Sequence, residues 1–218
     1  MNYNERMQKV AVLGAAGKKG SGILLLNAVE VADLNLLPEN KGKTFLIYAV
    51  DVSEEALTGL IKYVRTQVVK IAEKKINWIR EIYKDRMDLV ENGEMIEEYI
   101  NHVMSVIRPT TLIESAYNAN CIFEAIKEDP ELKVSIFKKI NDNNPNQPWF
   151  FTNTSSIPIQ YLNEQANLNG RIIGYHFYNP PAVQKLVELI EAKNTLPEIR
   201  EFSLQLAGKL KKIIVESN

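Results

Sequence analysis

Two sets of residues in this sequence have types and spacings that can do chemistry. The first is the loop Gly14-Ala15-Ala16-Gly17-Lys18-Lys19-Gly20-Ser21-Gly22, which follows the apolar run Val10–Leu13 and precedes another, Ile23–Ala28. Strand, glycine loop and helix in that order let backbone N–H groups and a helix N-terminus approach a phosphate, because no side chain stands between them. Gly14, Gly17 and Gly20 are spaced by three, a variant of G-x-G-x-x-G with one more residue before Gly17. A tight turn without a ligand is the bland alternative, and the flanking strand and helix favour a nucleotide. Asp51 closes the next apolar run, Phe45–Val50. A carboxylate there accepts ribose hydroxyls and repels a 2′-phosphate, and Val52 and Ser53 bring no arginine to neutralise one, so NAD is expected over NADP. The alternative is that Asp51 only caps the helix that follows.

The second set lies in Asn153-Thr154-Ser155-Ser156, Gly174-Tyr175-His176-Phe177-Tyr178-Asn179-Pro180 and Lys185-Leu186-Val187-Glu188-Leu189-Ile190. An imidazole is the natural base for a hydroxyl proton at neutral pH. It needs a carboxylate on its other nitrogen to fix the tautomer and to stabilise the imidazolium that forms. His176 and Glu188 are twelve residues apart with Pro180-Pro181 between them, a spacing that suits a strand, a turn and a return. A glutamate in an apolar strand is costly without a partner, which favours that pairing. Ser155 or Ser156 is expected to cap a helix beginning near Pro158. His102 has no comparable context and reads as a surface helix residue.

Elements that could position these groups alternate along the chain. Short apolar runs read as buried parallel strands: Val10–Leu13, Phe45–Val50, Cys121–Glu124 and Phe150–Asn153, with further strands at Arg171–Phe177, Lys185–Glu191 and Lys212–Val215. Leu57, Leu60, Ile61, Val64, Val68 and Ile71 share one helical face, and Ser53 with Glu54 and Glu55 is a good helix start. Another helix is expected near Ile199–Leu210. The expected fold is therefore α/β, a Rossmann-type, doubly wound and mostly parallel sheet. Three stretches interrupt it. Val31–Lys43 reads as a long connection, Ile76–Ile107 as a charged helical arm or helix pair, and Asn141–Gln147 as a solvated turn. The helical arm is placed at about 54–107.

Composition narrows the function classes. The 218 residues carry a net charge of −1, which argues against nucleic acid as a partner, and 45% are hydrophobic, as in a globular domain. No apolar run reaches the length that spans a bilayer, and Met1–Gln8 is too polar for a secretory signal. Cys121 stands alone in an apolar run, where it reads as a small buried hydrophobe. A cytoplasmic setting is expected.

The motifs Asn153-Thr154-Ser155-Ser156, His176-Phe177-Tyr178-Asn179-Pro180 and Lys185-Leu186-Val187-Glu188 resemble those of the 3-hydroxyacyl-CoA dehydrogenase family. The resemblance runs from about Lys9 to the end and is weakest over Val31–Lys43 and Ile76–Asn120. It implies an NAD-dependent enzyme of fatty acid β-oxidation or short-chain hydroxybutyryl-CoA metabolism. His176 would be the base, Glu188 its orienting partner, and Ser155 a hydrogen-bond partner of the substrate oxygen. Asn179 would lie by the nicotinamide and ribose. The family's Glu-x-x-x-x-Lys element falls on Glu128 and Lys133 near the nicotinamide ribose, with Asp129-Pro130-Glu131 departing from the usual residues between them. Coenzyme A would run along the helix after Asp51. Gln67 stands where the family has a serine, and Lys70, Lys74 and Lys75 follow, with Lys74 the expected phosphate partner. The resemblance further implies a following helical domain that closes over the thioester and makes a homodimer. On that reading 1–218 is the NAD-binding domain alone, with little turnover of its own. Two other readings are a non-catalytic NAD-binding structural or sensor protein of the same fold and another doubly wound hydroxyacid dehydrogenase. Intact Ser155, His176 and Glu188 weigh against the first, and the His-Phe-Tyr-Asn-Pro stretch against the second.

Overall fold

Strands that are apolar on both faces need a layer on each side, and such strands form the middle of one sheet here. The computed structural model describes residues 1–217. A short helix α1 (Tyr3–Met7) leads into β1 (Lys9–Leu13), α2 (Gly20–Leu36), β2 (Leu46–Val50), α3 (Glu54–Lys74), α4 (Ile76–Ile82), α5 (Asn92–Val106) and β3 (Ile107–Thr110). Then come β4 (Cys121–Glu124), α6 (Pro130–Asn143), β5 (Trp149–Thr152), α7 (Ile159–Gln165), β6 (Ile172–Phe177), β7 (Leu186–Glu191), α8 (Pro197–Lys209) and β8 (Ile213–Ser217). The eight strands lie in the order β3-β2-β1-β4-β5-β6-β7-β8. The first six pair in parallel, β7 pairs antiparallel to β6, and β8 pairs parallel to β7. This is the expected doubly wound sheet, with its switch point between β1 and β4.

The alternation of β1 divides the core. Val10 and Val12 face one layer, made by α2, α3, α5 and α8, through residues such as Ile23, Val64, Val103 and Leu206. Ala11 and Leu13 face the other, where Phe137 and Ile140 of α6 and Leu162 of α7 pack. Cys121 is fully buried, as expected.

Four expectations change. Val31–Lys43 is not a long connection: α2 continues to Leu36 because Val31, Ala32 and Leu34 still face the core. The stretch 76–107 forms α4 and α5, but it is no solvent arm, since Tyr99, Ile100, Val103 and Val106 are buried and α5 packs on α2 and α3. His102 is half-buried, and its Nε2 lies 3.2 Å from the carbonyl of Ala32, so it joins α5 to α2 instead of facing solvent. Burial holds its imidazole below the ordinary value, against the pull of that carbonyl. Strand β3 is an addition, because Arg108 and Pro109 break an apolar pattern; proline is tolerated there because β3 is an edge strand.

Candidate active site

The glycine loop is built by close approach of backbone to backbone. Gly14 has φ +72°, and a Cβ there would stand 2.6 Å from the carbonyl oxygen of Ala125. A Cβ on Gly20 would stand 1.9 Å from the carbonyl oxygen of Gly14. The loop therefore folds over the C-terminal end of β1 only with glycine at both positions. Gly17 donates its N–H to Gly14 O at 3.1 Å, and α2 starts at Gly20 with no side-chain cap. Lys18 and Gly17 are exposed at the loop's outer turn.

Asp51 follows β2, as expected, and Ser53 is the residue that caps α3, accepting from Ala56 N at 3.1 Å. Asp51 instead takes the N–H of Ala16 on Oδ2 at 2.9 Å, which ties the glycine loop to the end of β2. A cavity of about 520 Å³ opens beside both, lined among others by Gly14, Gly17, Asp51, Ile113, Ile136 and Lys139. Its walls are largely apolar, with the Asp51 carboxylate and the Lys127 and Lys139 ammoniums as the charged groups, a lining compatible with an adenosine half whose ribose meets Asp51 and whose phosphates meet the glycine loop.

His176 and Glu188 face each other as partners in the antiparallel β6–β7 register. Nδ1 of His176 lies 3.1 Å from Oε2 of Glu188, with the side chains 14% and 26% exposed. Both can still be reached from outside. Lys19 comes from the glycine loop to the other ring nitrogen, its Nζ 3.1 Å from Nε2. The approach of loop to site is close, since a Cβ on Gly22 would meet Pro181 at 3.0 Å. Asn153 Oδ1 accepts the N–H of Phe177 at 2.7 Å and joins the end of β5 to the end of β6 beside the histidine. Asn179 is exposed on the turn that follows.

Glu128 gathers the segment after β5. It accepts from Thr154 Oγ1, from Ser155 N at 3.0 Å, and from Ser156 N and Oγ at 3.2 and 3.0 Å. Neither serine caps α7, whose N-cap is Pro158 without a side-chain bond. Thr154 Oγ1 takes the N–H of Ile157 instead. The Ser155 side chain is left at the surface. Lys133 is 1% exposed and gives its ammonium to Glu124 at 2.6 Å and to Glu128 at 3.1 Å. Lys133 is thus enclosed, and Glu128 is the member of the expected pair that solvent reaches.

Just after α3, Lys75 is bonded to Asp33 and Tyr99 and packs over Trp78, so it is not a free phosphate partner. Gln67 is half-buried and Lys74 exposed, seven residues apart on one face of the helix. Lys74 lines a cavity of about 310 Å³ with Lys209 and Lys211. Sequence reasoning overlooked Glu124 and Lys19. Glu124 had a legible signal, an acidic residue inside a buried strand; Lys19 had only a positive charge in a glycine loop.

The glycine loop and Asp51 follow the C-terminal ends of β1 and β2, beside the switch point, and His176 lies at the same edge of the sheet near the end of β6, paired with Glu188 of the antiparallel β7 and reached by Lys19 of the loop. Fold and site together define a dinucleotide-binding domain that carries a candidate acid–base pair. Residues 56–218 match the family described as 3-hydroxyacyl-CoA dehydrogenase, NAD binding domain, and the chain belongs to that family. A probable 3-hydroxybutyryl-CoA dehydrogenase of Bacillus subtilis is 30% identical over 96% of this chain and 62% of its own length. The 3-hydroxyadipyl-CoA dehydrogenase of Escherichia coli is 30% identical over 89% of this chain and 34% of its own. The crystal structure of (S)-3-hydroxybutyryl-CoA dehydrogenase from Ralstonia eutropha superposes with a TM-score of 0.72 at 26% identity, covering 97% of this chain and 64% of that one. The chain thus spans under two thirds of the length of these relatives. Among the described residues no helix is long and apolar enough to cross a membrane.

Proposed function

We propose that this chain is the cofactor-binding, base-carrying domain of an NAD-dependent dehydrogenase that interconverts 3-hydroxyacyl-CoA and 3-oxoacyl-CoA. The observation that carries the reading is the Nδ1–Oε2 contact of 3.1 Å between His176 and Glu188, placed across from the glycine loop. An ionised carboxylate only accepts, so Glu188 holds a proton on Nδ1 and leaves the Nε2 lone pair as the base. In the oxidation His176 takes the hydroxyl proton on Nε2, and Glu188 stabilises the imidazolium. In the reverse direction the same nitrogen returns the proton to the oxygen. NAD, when bound, supplies the acceptor for the hydrogen that leaves the carbon with its electron pair.

Ser155 offers its exposed hydroxyl to the substrate oxygen. Glu128 keeps the backbone of Ser155 in place through its N–H bond, and Asn179 borders the nicotinamide side. Gln67 and Lys74 receive the coenzyme A portion, Lys74 as a point charge for phosphate.

The test is His176→Ala in the full natural protein, assayed with acetoacetyl-CoA and NADH. Turnover falls by about 10²–10⁴-fold, the usual worth of a positioned base, while NADH affinity and the melting temperature stay near wild type. Wild-type turnover in a folded variant would falsify the assignment.

A further inference from the structure

Lys19 stands in the glycine loop, half-buried, with its ammonium on the base. Its Nζ lies 3.1 Å from Nε2 of His176, its one hydrogen-bond partner among the described residues, and it pairs there with no carboxylate. Glu188 takes the opposite nitrogen. An ammonium can only donate and an ionised carboxylate can only accept. A ring held between the two therefore has one arrangement, a proton on Nδ1 and a lone pair on Nε2.

We propose that Lys19 is a further catalytic residue for the proton-transfer step, resting on the reading of His176 as the base. It reserves the Nε2 lone pair in the resting protein and yields it to the substrate hydroxyl. The substrate oxygen then sits between Nε2 and Nζ. In the oxidation the O–H bond gives its proton to Nε2, the carbon's hydrogen leaves with its electron pair for NAD, and the C=O forms. The negative charge that builds on oxygen between those events falls beside the Lys19 ammonium, a cation fixed by the same loop that receives the phosphates. Donors placed where charge develops act only in the transition state and so raise turnover more than affinity. Because Lys19 belongs to the cofactor loop, the loop's conformation sets the base's lone pair as well as the phosphate seat.

The chain has two histidines, which makes the tautomer readable by ¹⁵N NMR of histidine-labelled protein. His102 faces the carbonyl of Ala32 with Nε2, so its neutral ring carries the proton there and serves as an internal contrast. His176 is expected in the Nδ1–H form in the wild type. It stays so in Glu188→Leu, because Lys19 still claims Nε2. In Glu188→Leu with Lys19→Met, neither partner remains and the Nε2–H form appears. In the acetoacetyl-CoA assay Lys19→Met lowers kcat by about 10²-fold with the KM for NADH nearly unchanged, and Lys19→Arg restores much of it. An Nε2–H ring at His176 in the wild type, or an unchanged tautomer in the double variant, overturns the proposal. Unchanged turnover in Lys19→Met beside lost turnover in His176→Ala overturns it too and leaves the base reading intact. Full turnover in His176→Ala strikes the base reading itself.

Discussion

Glu124 and Lys133 form an ion pair closed off from solvent: Oε1 and Nζ lie 2.6 Å apart, with the side chains 0% and 1% exposed. Glu124 also accepts from Ile126 N at 2.7 Å and Thr152 Oγ1 at 2.6 Å, so both of its oxygens are hydrogen-bonded. The pair joins β4, α6 and the end of β5 beneath the segment that Glu128 organises.

Removing one partner leaves a buried charge without compensation. Lys133→Met is expected to cost about 3–5 kcal/mol, read from urea unfolding. Adding Glu124→Gln should recover part of that loss, since a neutral amide is cheaper to bury than a bare carboxylate. A loss under about 1 kcal/mol in Lys133→Met would show that the pair relaxes or admits water.

Asp51, at the end of β2 beside the glycine loop, carries the prediction on cofactor preference. NADH should bind more tightly than NADPH, measured by fluorescence titration of each. Asp51→Ala removes a charged acceptor that also holds Ala16 N, so NADH should weaken by about tenfold or more, the worth of a charged hydrogen bond, and the gap to NADPH should narrow. Equal affinities in the wild type would count against the ribose assignment.

One substitution should act with opposite sign at two glycines. Gly20→Ala puts a Cβ 1.9 Å from a backbone carbonyl oxygen that cannot swing aside, so stability should drop by about 1–3 kcal/mol and NADH affinity should fall with it. Gly59 lies in α3, where an added Cβ would meet nothing within 4 Å, and Gly59→Ala should stabilise by about 0.4–1 kcal/mol. Thermal unfolding of both variants reads the signs, and a neutral Gly20→Ala would show a looser loop than the one described.

Glu128 carries a pH prediction. Burial pushes its carboxyl up, but the hydrogen bond from Thr154, the Lys133 ammonium and the Ser155 N–H outweigh burial and hold it at about 2, below its ordinary 4.5. A depressed carboxyl stabilises the fold fully above the ordinary value and loses that contribution as pH falls from about 4.5 towards about 2. Glu128→Gln should therefore flatten the acid limb of the stability curve in that window while leaving its shape near neutrality unchanged. An identical acid limb in the variant would mean that the cluster does not hold the carboxylate in solution. The side chain is 37% exposed, so solvent screening makes its share smaller than that of a buried pair.

Much of the architecture was legible because buried parallel strands are continuous apolar runs. The runs at 10–13 and 121–124 reappear as β1 and β4 within a residue, and the two glutamates after Ser53 do open α3. Elements at the margins were harder. β3 has arginine and proline in a four-residue edge strand, and α1 is five residues held by a capping box between Asn2 and Glu5 in a polar segment. Pairings across the sheet had no local signal. That Lys75 turns to Asp33, and that Lys19 turns to His176, depends on where α2 and the glycine loop come to rest. His176 and Glu188 were legible as a pair because a turn between two apolar runs makes them cross-strand neighbours; Lys133 was expected near a ribose from the family resemblance alone, and nothing local signalled its enclosure by Glu124 and Glu128.

The antiparallel β6–β7 pair has a consequence for how this domain can vary. Residues 178–185 join the two strands, and the His176–Glu188 match is fixed by the ladder and not by the length of that turn. As far as the pair is concerned, residues can be gained or lost in the turn without separating ring and carboxylate. A shift of a single residue within β7 would instead turn Glu188 to the opposite face of the sheet and bring Val187 or Leu189 against the imidazole. Tolerance to insertion and intolerance to slippage thus lie within a few residues of each other.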